Sequence, residues 1–292
     1  MAIGILFESD EWSDYAIRNR IRELGVEADL VNMRKEIDEV KLLSYKMIVS
    51  RVFASSVFRG HEKALKRMEE VMELLREHRI PMLNTYEAHY FEISKELQTT
   101  TLAECGFPVP RVYGVFEPAE LLQNINERQK QIGYPCIVKP DCGGRTTYTY
   151  LLNNDEDLYA AAGSMPDLPF IAEDYIPPEY GFVTRIEVIG GTCRLIVKRS
   201  VADNGLSAYH LGSAYQIYVD CPKDIQMAAT GAMDLLKIEA GSLDIIENSS
   251  GFFIIDVNAV SNVSADNTEM FNFDLMKETA AYAVSKYRIL CD

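Results

Sequence analysis

Between Leu243 and Asn262 the chain reads LDIIENSSGFFIIDVNAVSN, two β-branched and aromatic runs on either side of the turn Asn248, Ser249, Ser250, Gly251. That pattern predicts a hairpin of two paired strands. Asp256 and Asn258 are two apart on the second strand, so both side chains leave the same face of the sheet, and Asp244 on the first strand can point to that side too. Two carboxylates and an amide oxygen make an all-oxygen site suited to Mg²⁺, which prefers few protein ligands together with nucleotide phosphates. Solvated residues on a half-exposed strand give the same alternation. The flanking runs IID and FFII read as buried, which counts against that alternative.

Upstream, Lys139 ends the apolar run CIV and is followed by Pro140 and the loop Asp141, Cys142, Gly143, Gly144, Arg145, Thr146, Thr147. A lysine at the end of a buried strand beside Gly143 and Gly144 suits a phosphate, with backbone N–H groups and a point charge both at hand. Lys95 opens a helix and, taken alone, reads as a snorkelling surface lysine rather than a ligand. The stretch FIAEDYIPPEYG runs Glu173 and Asp174 directly into Tyr175 and Ile176; it fits the slot of an adenine ring, and equally a structural edge strand. Cys142 has no paired histidine in the pattern and is not read as a nucleophile.

The first 90 residues alternate short apolar runs with amphipathic segments, as βαβ units around a mostly parallel sheet do. Strands are expected over 3–7, 27–31, 46–51 and 80–83, and helices over 12–24 and 61–78. Beyond Ile93 a helix over 94–105 leads into PCIVKP, TYTYLL, PFIAEDYI, FVTRIEVIGG, CRLIVKRS, AGSLDII and GFFIIDVN, with helices expected over 117–131, 155–162, 222–236 and 273–287. The fold class is therefore α/β plus α+β, with divisions at 1–90, 91–175 and 176–292.

The 292 residues carry 29 Lys and Arg against 44 Asp and Glu, a net charge of −15. Such a balance speaks against nucleic acid or an anionic membrane as partner. The six cysteines form no C-x-x-C pair and read as reduced, the four histidines show no zinc spacing, and MAIGILFESDEW is neither a signal peptide nor a span. A cytoplasmic protein is expected. The G-x-G-x-x-G and P-loop fingerprints are both missing.

In their order and spacing these signals resemble the ATP-grasp superfamily, especially its RimK-type carboxylate–amine ligases. The resemblance runs from SRVFASS through LNTYEAHYFEISKELQTTTLAECGFPVP to the hairpin. It implies the ATP-grasp fold, a Rossmann-like first domain followed by two α+β subdomains that clamp ATP. It also implies that Lys95 and Lys139 contact phosphates, that Glu173 to Ile176 form the adenine hinge, and that Asp244, Asp256 and Asn258 bind two Mg²⁺ or Mn²⁺ ions. Arg185 and Arg199 match arginines near the phosphates and the reacting carboxylate, with Lys198 beside them on the nucleotide side.

The chain departs from the family at several places. Asp256 stands where glutamate is usual, and Val183 and Thr184 where a ribose-binding acid is usual, leaving Glu179 as its substitute. His210, Leu211 and Gly212 replace H-R-G, and Arg145, Thr146, Thr147 and Tyr148 are large for a glycine-rich loop.

The resemblance implies an ATP-dependent ligase that joins an amine, glutamate or another amino acid, to a small-molecule carboxylate through an acyl phosphate. The alternatives are an ATP-binding sensor or assembly protein without catalysis, and an enzyme with a non-amine acceptor. Relatives of this kind form homodimers or homotetramers, and the apolar run 271–276 fits either an interface or the protein's own core.

Overall fold

The computed structural model describes residues 2–123, 132–202, 205–207 and 212–291. His210 and Leu211 of the altered H-R-G element lie outside them, as does 124–131 of the helix expected over 117–131.

Ile3–Phe7 (β1), Trp12–Glu23 (α1), Ala28–Asn32 (β2), Glu39–Leu43 (α2), Met47–Arg51 (β3), Glu62–Glu77 (α3) and Met82–Leu83 (β4) form the first unit, a parallel sheet ordered β2-β1-β3-β4. β1 is buried at every position, as an interior strand covered on both faces must be. On one face α3 packs through Ala64, Met68, Val71, Met72 and Leu75, a stripe at helical spacing. A 3₁₀ turn over Ala54–Arg59 follows β3.

Tyr86–Ile93 (α4), unforeseen in the sequence, and Lys95–Glu104 (α5) lead into the second unit. Ser94 ends α4 and caps α5, its side chain accepting from the Leu97 amide. Val112–Phe116 (β5), Pro118–Gln123 (α6), Cys136–Pro140 (β6), Tyr150–Leu152 (β7), Asp155–Ala162 (α7) and Phe170–Asp174 (β8) form an antiparallel sheet ordered β5-β8-β6-β7.

Phe182–Ile189 (β9), Thr192–Ser200 (β10), Tyr215–Ile217 (β11), Lys223–Leu235 (α8), Ala240–Asn248 (β12) and Gly251–Asn258 (β13) form a third sheet, ordered β11-β10-β9-β12-β13. Its far face is closed by Ile225, Ala229, Ala232 and Met233 of α8. Ala265–Phe271 (α9) and Leu275–Ile289 (α10) complete the chain. Although α10 follows the third sheet in sequence, its Leu275, Met276, Ala280, Ala283 and Val284 share one core with Ile17 and Ile21 of α1. The alanines of α10 let the two helices approach closely. Leu275 and Met276, from the run that fits either an interface or the core, are thus core residues.

Among the described residues no helix is long and apolar enough to cross a membrane, and all six cysteines are free.

Candidate active site

The site is a row across the third sheet. Arg185 on β9 is level with Asp244 on β12, and Asp244 is level with Asp256 on β13. Between Asp244 and Ile245 the pairing shifts, so Ile255 is an extra residue on β13, a bulge. The Ile255 carbonyl accepts a hydrogen bond from Lys139 Nζ at 3.0 Å, which ties the second unit's lysine to the third unit's hairpin. Bulges re-aim side chains in this way beside functional sites.

Two lysines converge on this row. Lys95 Nζ donates to Asp256 Oδ1 at 2.5 Å, and Lys139 Nζ pairs with Glu173 Oε1 at 2.6 Å. Asp141 aligns them, since its carbonyl accepts from the Lys95 amide at 3.1 Å and its Oδ1 from the Glu96 amide at 2.7 Å. Burial acts to raise the Asp256 carboxyl, but Lys95, Lys139 and the Asn258 amide outweigh it and hold the group below the usual carboxylate range. Burial pulls the Lys95 ammonium down, and Asp256 with Glu92 and Glu173 more than restores it. Glu173 is only 2% exposed, its carboxyl is raised chiefly by burial, and its Oε2 has no hydrogen-bond partner among the described residues.

Asp244 is held by two arginines. Arg199 Nη2 donates to Oδ2 at 2.9 Å and Arg185 Nη1 to Oδ1 at 3.4 Å, while Arg185 Nε binds Glu187 Oε1 at 2.8 Å. Asn258 Nδ2 donates to Asp256 Oδ2 at 3.2 Å. Asp244, Asp256 and Asn258 are thus brought together, as the strand parity predicted. Among the described residues no group of three or more His, Cys, Asp or Glu is placed to hold a metal ion. The set is two carboxylates and one amide, a hard-oxygen donor group that fits a Mg²⁺ ion only if nucleotide and water oxygens complete its shell.

Two cavities meet at this row. The smaller, about 130 Å³, is lined by apolar side chains of Ile137, Tyr175, Ile176, Val183 and Ile246 and also by Lys95, Lys139 and Glu173. The larger, about 540 Å³, is bounded by Arg185, Glu187 and Asn258 and by residues of α1 and α9. Gly144, Arg145, Thr146, Arg199, Asp244 and Asp256 line both. The loop after Lys139 is anchored to the first unit: Tyr148 packs edge-on against Phe58 at 5.3 Å, and Arg145 pairs with Glu11. Arg145, Thr146 and Tyr148 all have positive φ, 64°, 58° and 55°, a conformation costly for such side chains.

Of the nucleotide-side residues expected from the sequence, Lys95, Lys139, Gly144 and 173–176 line the smaller cavity, and Gly143 lines the larger. The Asp174 side chain turns away to accept from Tyr113. Two residues are not brought into the row. Lys198 points to the opposite face of β10 from Arg199, where its Nζ lies 4.2 Å from the Phe182 ring centre and 3.9 Å from that of Tyr218, because neighbours on a strand alternate faces. Glu179 instead accepts from the Ser249 amide at 2.9 Å. Cys142 is a half-buried thiol whose pKa burial pushes up to about 12, unsuited to a nucleophile.

Several site residues had not been singled out. Glu187 follows Arg185 by two on β9, and strand parity alone would have found it. Glu92 is fully buried, accepting from the Ala54 amide at 3.1 Å and the Ala259 amide at 2.7 Å, and burial lifts its carboxyl to about 7. Nothing local in the sequence marks it.

The geometry is that of an ATP-grasp fold, and structural comparison bears this out over nearly the whole chain. The RimK-domain ATP-grasp protein from Sphaerobacter thermophilus superposes with a TM-score of 0.71 at 17% identity, covering 97% of this chain and 99% of that one. The ATP-grasp ligase PsnB, in complex with minimal precursor, Mg and ADP, gives 0.66 at 15%, covering 98% of each chain. D-alanine–D-alanine ligase from Bacillus anthracis gives 0.68 at 15%, covering 99% of each. No protein-family model matches the sequence, and no curated protein does.

Proposed function

We propose that the protein is an ATP-dependent ligase that forms an amide bond between a carboxylate and an amine through an acyl phosphate. The observation that carries this is the sharing of Arg199, Asp244, Asp256 and the loop at 144–146 by two cavities, a smaller one lined by several apolar side chains and two lysines, and a larger one. A triphosphate lying in the first directs its terminal phosphoryl group to the shared wall, where a carboxylate from the second can meet it. The similar PsnB was solved with Mg and ADP, which supports both as ligands of this fold.

In the first step a carboxylate oxygen forms a bond to the γ-phosphorus as the bond to the β-phosphate oxygen breaks, releasing ADP. In the second the amine nitrogen bonds to the acyl carbon, phosphate leaves, and the nitrogen gives up a proton. Two anions must approach for the first step, and Lys95, Lys139 and Arg199 are the cations that offset their repulsion. Asp244, Asp256 and Asn258 would hold Mg²⁺, which when bound neutralises phosphate charge. In that state Arg199 would exchange Asp244 for substrate oxygens, while Arg185 keeps Glu187 and lies beside them. The loop from Asp141 to Thr147 covers the shared wall and excludes water that would hydrolyse the acyl phosphate.

The test is ADP and phosphate release from Mg²⁺-ATP with pooled amino acids and small carboxylates, followed by mass analysis. ADP in step with a new amide is expected, with Asp256→Ala and Asn258→Ala lowering release by at least about 100-fold while the fold persists. ATP binding without ADP under every pool would favour a sensor. A phosphorylated product with no amide would instead favour a non-amine acceptor.

A further inference from the structure

We propose that the larger cavity takes a substrate whose flank beyond the reacting group is an uncharged aromatic or branched aliphatic side chain, not an acidic one. This deepens the ligase reading and rests on it for the identity of the reacting groups, though not for occupancy of the cavity.

Charge is the first ground. The cavity is lined by three arginines and five carboxyl groups, and each arginine is already paired: Arg145 with Glu11, Arg185 with Glu187 and Asp244, and Arg199 with Asp244. Where Asp244 passes to a metal ion, Arg199 is released to hold the reacting carboxylate. Among the described lining residues no further cation is then free of a carboxylate partner, and an uncompensated charge in such a site is strongly disfavoured.

The second ground is helix α9. Ser264, Asn267, Thr268 and Phe271 recur at i, i+3, i+4 and i+7 and all line the cavity, so this is the inner face of the helix. An inner face is ordinarily buried by the protein's own core. Here α9 buries none of its residues, and these four positions are only half covered. Phe271 stands edge-on to Tyr215 with ring centres 6.0 Å apart, and Trp12, Val263 and Phe273 continue the wall. These aromatic and aliphatic side chains form an apolar patch on a lining that is otherwise largely polar; such a patch selects ligands by apolar contact, and a ligand side chain at Phe271 would complete the face that the fold leaves open.

Trp12 is the chain's single tryptophan and lines this cavity, so its fluorescence reports occupancy without turnover. We would titrate L-phenylalanine, L-leucine and L-glutamate into the full-length protein with Mg²⁺ and a non-hydrolysable ATP analogue. A saturable change at least about tenfold tighter for phenylalanine and leucine than for glutamate is expected. Phe271→Ala should weaken phenylalanine by about tenfold, and Thr268→Arg should narrow the gap to glutamate by a similar factor, both with unchanged thermal unfolding. Glutamate binding as well as phenylalanine, no saturable change with either apolar probe, or a Phe271→Ala variant with wild-type affinity would each overturn the proposal. ADP release under the pooled assay is read separately, so a protein that binds phenylalanine without releasing ADP defeats the ligase reading and leaves this one standing.

Discussion

Lys95, the first residue of α5, reaches across to Asp256 on β13 with 2.5 Å between Nζ and Oδ1, and the pair joins segments 161 residues apart. Lys95 is 7% exposed, and its partner is the carboxylate to which a metal ion would bind. The contact therefore gives a nearly buried ammonium and carboxylate each a charged partner.

Lys95→Met leaves that carboxylate without its cation and should lower unfolding free energy by about 3 kcal/mol. Mg²⁺ would then supply the missing charge, so it should raise the Tm of the variant more than that of the wild type. Thermal unfolding with and without Mg²⁺ measures this; an equal response in both proteins would count against a cation site at Asp256.

Gly143→Ala should disturb the loop for steric reasons alone. A Cβ there meets Phe58 Cε2 at 2.6 Å and Pro140 Cβ at 3.2 Å. ATP-dependent turnover should fall by about tenfold, and Phe58→Leu in the same chain should restore most of it, since the clash is mainly with that ring. Kinetics on the two single variants and the double variant would show the coupling, which vanishes if the loop tolerates the added methyl group.

Arg51 joins the first sheet to the segment after Asn258. Its guanidinium donates to Asp14 Oδ1 at 3.2 Å, Ser13 Oγ at 2.5 Å and the Ser261 carbonyl at 2.8 Å, and it is 4% exposed. Arg51→Met strands a buried Asp14 and should cost on the order of 3–5 kcal/mol, with Asp14→Asn in addition recovering part of the loss. Urea unfolding of the three proteins is the measurement.

His89 supplies an acid-sensitive element. It is buried, its Nε2 has no hydrogen-bond partner among the described residues, and burial pulls its pKa from 6.5 down to about 4. The unfolded chain therefore binds the proton more readily than the folded one between those values. Its contribution is present above pH 6.5 and is lost as pH falls through about 4, by on the order of 3 kcal/mol. His89→Leu should flatten the stability profile across that window relative to wild type; parallel profiles would show that the imidazole is not desolvated as described.

Much of the fold was legible because its signals are local. The short apolar runs at 3–7, 136–140 and 251–258 and the stripe on α3 are properties of neighbouring residues, and those elements appear where they were read. Helices α4 and α9 escaped notice for a related reason. The first is short and buries His89 and Glu92 rather than a clean apolar stripe, and the second buries nothing.

The sequence by itself determined most of the strands, though not the short β5 and β11, and placed Asp256 with Asn258 on one face and Lys139 at the end of an apolar run beside glycines, because these are properties of neighbouring residues. Only the tertiary structure decided that Lys95 faces Asp256, that Lys198 turns to the far side while Arg199 turns in, and that Glu92 is sealed between Ala54 and Ala259. Those outcomes depend on burial and on distances between segments as many as 167 positions apart, which are set when the three sheets pack together and not before.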